Sequence, residues 1–212
     1  MVLLKEIFEA LAEGDAKKVK NLVEQALTQG ISPKEILDKA LIPGMREVGE
    51  KFKKGEYFIP EVLIAAKAMN TGIDLLRPFF NQVEVEYAGK VLIGTVSGDI
   101  HDIGKNLVAT MLRGAGFQII DLGVDVSPEM FVEKAKSENV DIVAMSALLT
   151  TTMLSMKDTI YAIKEAGLRD KVKILVGGAP VTLKYAEKIG ADGYAPDAAT
   201  AVEKARELLG IT

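Results

Sequence analysis

The stretch KVLIGTVSGDIHDIGKNL (residues 90–107) changes character twice within eighteen positions. KVLIGTV (90–96) is a short apolar run. A loop of small and acidic residues follows, and from Lys105 the spacing becomes helical through KNLVATMLRGAG (105–116), which ends in a glycine stop. Strand, loop and helix succeed one another with little between them. The loop holds the chain's only histidine, His101, with Asp99 and Asp102 on either side and Gly104 after it.

The pattern repeats downstream. FQIIDLG (117–123), VDIVAMSA (140–147), KVKILVGG (171–178) and ADGYA (191–195) read as strands. SPEMFVEKAKSEN (127–139), with Ser127 as N-cap and Pro128 next, reads as a helix, as do 152–166, APVTLKYAEKIG (179–190) and DAATAVEKARELLG (197–210). Strands apolar almost throughout belong to a parallel sheet covered on both faces. Right-handed crossovers then make an α/β, flavodoxin-like (Rossmann-like) domain of five parallel strands over 89–212.

Upstream, residues 1–83 read as helix throughout. GDAKKVKNLVEQALTQG (14–30) offers Asp15 as N-cap and Gly30 as stop. SPKEILDKALIPGMREVGEKF (32–52) opens with Ser32, Pro33 and Glu35, the order of a capping box. FIPEVLIAAKAMNTGIDLLRPFF (58–80) places Ile59, Val62, Leu63, Ala66, Met69, Ile73 and Leu76 at helical spacing. Four or five helices in a small bundle are expected, joined to the sheet domain by the polar NQVEVEYAG (81–89).

Composition narrows the chemistry. A net charge of -4 over 212 residues argues against nucleic-acid binding through a basic surface. No apolar run is long enough for a membrane span, and MVLLKEIFEALAEGD (1–15) reads as an amphipathic helix without a signal-peptide pattern, so a cytoplasmic protein is expected. With no cysteine there is no disulfide, thiolate ligand or cysteine nucleophile. The phosphate loop GxxxxGK[ST], the dinucleotide GxGxxG and the hydrolase GxSxG are all absent.

Ligands of a doubly wound sheet sit at the carboxyl ends of its strands, here SGDIHDIG, SALLTTT, GGAP and YAPDA. A lone histidine is ordinarily a local hydrogen-bonding or surface residue. Asp99, two residues before His101, alters that reading: a carboxylate on one ring nitrogen fixes the tautomer and frees the other for a metal. One imidazole cannot hold a bare transition-metal ion. A metal already chelated by a macrocycle needs only an axial ligand.

DIHDIG (99–104) resembles the DxHxxG signature of cobalamin-binding domains. From Gly104, 41 residues intervene before Ser146 and Leu148, which match the SxL element, and from Leu148 another 28 before Gly177 and Gly178, which match the GG element. All three follow expected strands. The N-terminal half resembles the helical cap of cobalamin-dependent methyltransferases. The chain is thus similar over nearly its whole length to the corrinoid proteins of methanol, methylamine and methoxyl-compound methyltransferase systems, and to the cobalamin-binding region of methionine synthase.

The resemblance implies cobalamin bound with its own lower base displaced and His101 on cobalt. Asp99 would accept from the other ring nitrogen, and the relay would continue to Thr152, where methionine synthase has serine. Gly98, Asp102, Ile103 and Gly104 would lie along the corrin and its tail. Ser146, Leu148, Thr150, Gly177, Gly178 and Ala179 would line the slot for the tail, with Tyr194, Ala195 and Asp197 at its far end; by position alone, Asp197 is equally a helix N-cap. EKFKKGEYFIPE (50–61) resembles the segment that covers the methyl-bearing face, with Phe52 and Ile59 at the matching positions, although helical spacing alone makes both bundle core.

The implied role is methyl carriage. Cob(I)alamin takes a methyl group from a substrate on one methyltransferase, and methylcobalamin passes it to tetrahydrofolate or coenzyme M on a second, with a reductive activation protein as a further partner. The chain would then be a carrier subunit, its substrate specificity residing in the partners. An adenosylcobalamin mutase domain, a cobalamin-based light or ligand sensor, and a flavodoxin-like domain without corrinoid are the alternatives.

Overall fold

The computed structural model describes residues 2–80 and 87–211, the Phe80 side chain excepted. The expected boundary at residue 83 and most of the expected linker fall on 81–86, outside the described residues. The chain divides into two compact units, Met1–Glu86 with Gly114–Gly116, and Tyr87–Arg113 with Phe117–Thr212.

The first unit is helical: α1 (Val2–Ala12), α2 (Ala16–Thr28), α3 (Pro33–Ile36), a π-helical turn (Leu37–Leu41), α4 (Ile42–Lys53) and α5 (Ile59–Phe80). Asp15 caps α2 by accepting from the Lys18 amide at 2.9 Å, and Ser32 caps α3 by accepting from the Glu35 amide at 3.1 Å. The carboxylate of Glu35 is engaged at 2.7 Å by Lys39, one turn on. The single helix expected over 32–52 carries the π turn because of Pro43. Proline lacks an N–H, and its ring clashes with the carbonyl four residues back. Widening the preceding turn, so that the Ile42 amide reaches Leu37 O, lets the helical path continue past it. Ile7, Leu11, Val19, Val23, Ile36, Leu41, Met69 and Leu76 are wholly buried.

The second unit runs β1 (Lys90–Thr95), α6 (Ile103–Gly114), β2 (Gln118–Asp121), α7 (Pro128–Glu138), β3 (Ile142–Ser146), α8 (Met153–Glu165), β4 (Lys173–Gly177), α9 (Leu183–Ile189), β5 (Gly193–Ala195) and α10 (Ala198–Leu209). The five strands are all parallel, in the order β2-β1-β3-β4-β5. Residues 91–95 of β1 are buried without a break. Because side chains alternate across a strand, unbroken burial means that both faces are covered. Leu92, Val96, Phe131, Val143, Met156, Ile163 and Ile174 belong to the core that results. The order reverses beside β1, whose carboxyl end leads into the His101 loop, the switch-point location at which such sheets bind ligands.

Candidate cofactor site

Two loops at the carboxyl ends of neighbouring strands meet at one carboxylate. Asp99, on the β1–α6 loop, is wholly buried. Its Oδ1 accepts from the His101 amide at 3.1 Å and lies 2.7 Å from His101 Nδ1. Its Oδ2 reaches the β3–α8 loop, accepting from the amides of Leu148 (2.7 Å) and Leu149 (3.3 Å) and from the Thr152 hydroxyl (2.7 Å). The Thr152 hydroxyl also lies 2.9 Å from the Leu149 carbonyl. Its single proton goes to the closer, charged acceptor.

Burial pushes the Asp99 pKa up, but the bonds from Thr152, Leu148 and His101 outweigh it and hold the carboxyl well below the ordinary carboxylate range. Asp99 is therefore an ionised, acceptor-only group at neutral pH. In a neutral imidazole, its partner Nδ1 must then carry the proton, which leaves the lone pair on Nε2. The His101 side chain is 47% exposed, and among the described residues nothing engages Nε2.

The backbone here is also held. The Thr95 hydroxyl donates to the His101 carbonyl at 2.9 Å. Ser155 Oγ donates to the Ser97 carbonyl at 3.1 Å. Asp102 accepts from Asn106 at both its carbonyl (2.8 Å) and its Oδ2 (3.0 Å), which ties it to the first turn of α6. Lys105, only 3% exposed, lies within 2.7 Å of both Asp121 carboxylate oxygens at the end of β2 and of Asn106 Oδ1.

The remaining expected residues divide by position. Gly98, Asp102, Ile103 and Gly104 lie on the His101 loop and the start of α6, and Ser146, Leu148 and Thr150 on the end of β3 and the loop beyond. Space is open beside Gly104, where an added Cβ would meet nothing within 4 Å. Gly178 is the opposite case. A Cβ there would sit 1.9 Å from the Ala147 carbonyl oxygen, and its φ of +122° is a conformation only glycine adopts readily, so the approach of β4 to the β3 loop by itself demands glycine. At Gly177 a Cβ would lie 2.8 Å from the Ala195 oxygen. Ala179 is exposed, Tyr194 half-buried against the sheet core and Ala195 buried. Asp197 caps α10, both its oxygens bound to Thr200. Phe52, near the end of α4, and Ile59, at the start of α5, belong to the first unit; Ile59 is 47% exposed.

Sequence reasoning missed Thr95, Lys105, Asp121 and Asp125. Threonine at a strand end and lysine in a first helical turn are ordinary solvent-side residues by pattern, and only tertiary contact makes them part of the loop's frame.

The donor set suits a chelated metal. His101 presents one orientated lone pair, and no group of three or more His, Asp or Glu side chains is placed to hold an ion among the described residues. Ile100 and Ile103 (each 74% exposed), with Leu148 and Leu149, stand bare on the two loops joined through Asp99, an unusual apolar concentration beside a polar pair and a fitting surface for a broad, mostly apolar ring.

Comparison with known proteins defines the class. Residues 89–203 match the model of the B12 binding domain, and residues 3–77 match a second model described in the same words. The chain belongs to the B12-binding family and binds cobalamin. It is similar to trimethylamine corrinoid protein 1 of Methanosarcina acetivorans, with 48% identity over 95% of this chain and 94% of the relative, and to dimethylamine corrinoid protein 3 of the same organism, with 46% identity over 98% and 97%. Among solved structures, it superimposes on a chain of the methanol:cobalamin methyltransferase complex MtaBC from Methanosarcina barkeri with a TM-score of 0.89, 31% identity and coverage of 99% of this chain and 80% of that one. A cobalamin-binding protein from Desulfitobacterium hafniense matches with a TM-score of 0.79 and 34% identity, covering 97% of this chain and 98% of that one. Among the described residues no helix is long and apolar enough to cross a membrane.

Proposed function

We propose that this chain is the corrinoid methyl carrier of a methyltransferase system, receiving a methyl group from a substrate-specific methyltransferase and delivering it to tetrahydrofolate or coenzyme M on a second one. The observation that carries the proposal is the chain Thr152–Asp99–His101, which ends in an exposed Nε2 without a partner among the described residues. The corrinoid supplies a cobalt centre able to accept and release the methyl group.

The residues of the chain hold that centre and tune its hold. His101 would hold the cobalt through Nε2. Asp99 keeps the proton on Nδ1 and raises the donor strength of the ring, and Thr152 and the amides of Leu148 and Leu149 keep Asp99 charged. Ile100, Ile103, Leu148 and Leu149 would exclude water from the bound ring. Gly104, Ser146 and Gly177 would hold the nucleotide tail of the cofactor, and Gly104 leaves open space for it. Phe52 and Ile59 of the helical unit would shield the methyl group from solvent. A reductive activation protein would be a further partner. The relatives named for trimethylamine and dimethylamine make methylated amines the first donor class to assay.

The test loads the protein with methylated cobalamin and mixes it with a coenzyme M methyltransferase or a tetrahydrofolate methyltransferase. Loss of the methyl group to one acceptor is the expected result. Retention with both, by a protein whose cobalamin is fully bound, overturns the carrier reading.

A further inference from the structure

Asp125 lies outside every motif that pointed to the site, in the β2–α7 loop. It is one of two non-glycine residues with positive φ among those described, at +53°. Aspartate tolerates this region better than most residues, but at some cost in backbone strain. What Asp125 touches explains why it is held there. Its amide donates to the Asp99 carbonyl at 2.9 Å. Its Oδ1 accepts from the Gly98 amide at 2.7 Å and lies 3.5 Å from Ser97 Oγ. One residue thus grips three consecutive residues of the histidine loop, 97–99, by both backbone and side chain.

The grip is anchored on the sheet side. The Val126 amide donates to the Thr95 carbonyl, the Thr95 amide donates to the Gly123 carbonyl, and Val96 and Val126 form a parallel bridge. The segment around Asp125 therefore extends the β1–β2 edge, and Asp125 turns that edge into a clamp. The peptide it fixes carries Gly98 at a φ of +81°, immediately before the carboxylate that sets the His101 tautomer.

We infer that Asp125 is a positioning residue for the axial imidazole: through Gly98 and Asp99 it sets the aim of the His101 ring. The inference rests on the reading of His101 as the cobalt ligand, but its test does not need the cofactor. The sole histidine gives an uncrowded long-range proton–nitrogen NMR spectrum in the apoprotein, recorded at a pH where the ring is neutral. Wild-type protein shows one form, with the proton on Nδ1. Asp125→Gly deletes the side-chain acceptor while keeping the amide and relieving the φ strain. It is expected to lose the single form and show a mixture of both tautomers, and Asp125→Asn, which keeps an acceptor oxygen and accepts the same backbone, restores the wild-type pattern. A residue that merely supported the fold would change the melting temperature without changing the tautomer. An unchanged tautomer in a folded Asp125→Gly overturns the inference, as does loss in both variants. Should Asp125→Gly not fold, amide hydrogen exchange of the wild-type protein decides: Gly98 is expected to be protected, and exchange at the rate of an open loop overturns the clamp. Failure of either readout leaves cobalamin binding itself intact, which separates it from failure of the ligand reading.

Discussion

Replacing Thr152 by valine removes one hydroxyl and adds a methyl group of similar size. The hydroxyl is the strongest of the hydrogen-bonding influences that hold the Asp99 carboxyl acidic, at 2.7 Å from Oδ2 of a side chain with no exposure. A hydrogen bond to a charged acceptor contributes about 1.5–3 kcal/mol. The added methyl faces a carboxylate and gains little from burial, so Thr152→Val is expected to lose roughly 2 kcal/mol at neutral pH. The sign with pH follows from Asp99. Its folded pKa lies below the ordinary value of 3.8, so its bonds stabilise the native state fully above that pH. The contribution fades as pH falls below 3.8 toward the folded value. The unfolded chains of wild type and Thr152→Val titrate alike, so the gap between them holds while Asp99 stays ionised in both folded forms and narrows only where the folded carboxyl protonates, well below 3.8. Thr152→Ser keeps most of the stability at every pH. The chain has no tryptophan, so urea unfolding of the apoprotein is followed by circular dichroism. At about 2 kcal/mol per molar urea, the midpoint falls by about 1 M at pH 7. A gap under about 0.5 kcal/mol at pH 7 would refute the charged-bond account.

Two glycines separate fold from site. Gly178→Ala must displace the Ala147 carbonyl and strain its own backbone, so it is expected to cost about 2–4 kcal/mol in the apoprotein and to disturb the loop that carries Leu148 and Leu149; a thermal melt indistinguishable from wild type would show that the β3 and β4 loops part freely. Gly104→Ala meets open space in the first turn of α6 and is expected to leave the apoprotein as stable or up to about 1 kcal/mol more stable, while weakening cobalamin binding measured by titration. Unaltered cobalamin affinity in that variant would move the tail of the cofactor away from Gly104.

The sheet was readable because each strand is a short apolar run closed by small residues, and the crossover rules leave few topologies for five such runs. Ser127, Asp15 and Ser32 were readable as caps because a cap is local: its partner amide lies three residues on. The π turn was not, because KALIP is as good a helix as any until the proline ring meets the carbonyl four residues behind it. The pair His101 and Asp99 could be read from spacing, as could Thr152 through the family resemblance. Asp125, Thr95 and the Lys105–Asp121 pair could not. Their partners lie on other elements, and nothing in VDV, GTV or GKN distinguishes a clamp, a tether or a buried ammonium from a solvent-facing residue. Gly177 and Gly178 were noticed as a slot for a cofactor, but packing within the sheet domain also calls for them, since the backbones of Ala147 and Ala195 already occupy the space their side chains would need.

The most direct test of the central claim uses the fact that the chain has one histidine. Protein grown with nitrogen-15 histidine is loaded with ordinary cobalamin, reduced by one electron and examined by electron paramagnetic resonance. If His101 is the axial ligand, each cobalt line is split into two by the labelled nitrogen, where unlabelled protein shows three. Three lines in the labelled sample would mean that the cofactor has kept its own base, and an absence of nitrogen splitting would mean that no imidazole reaches the cobalt; either result would contradict the account.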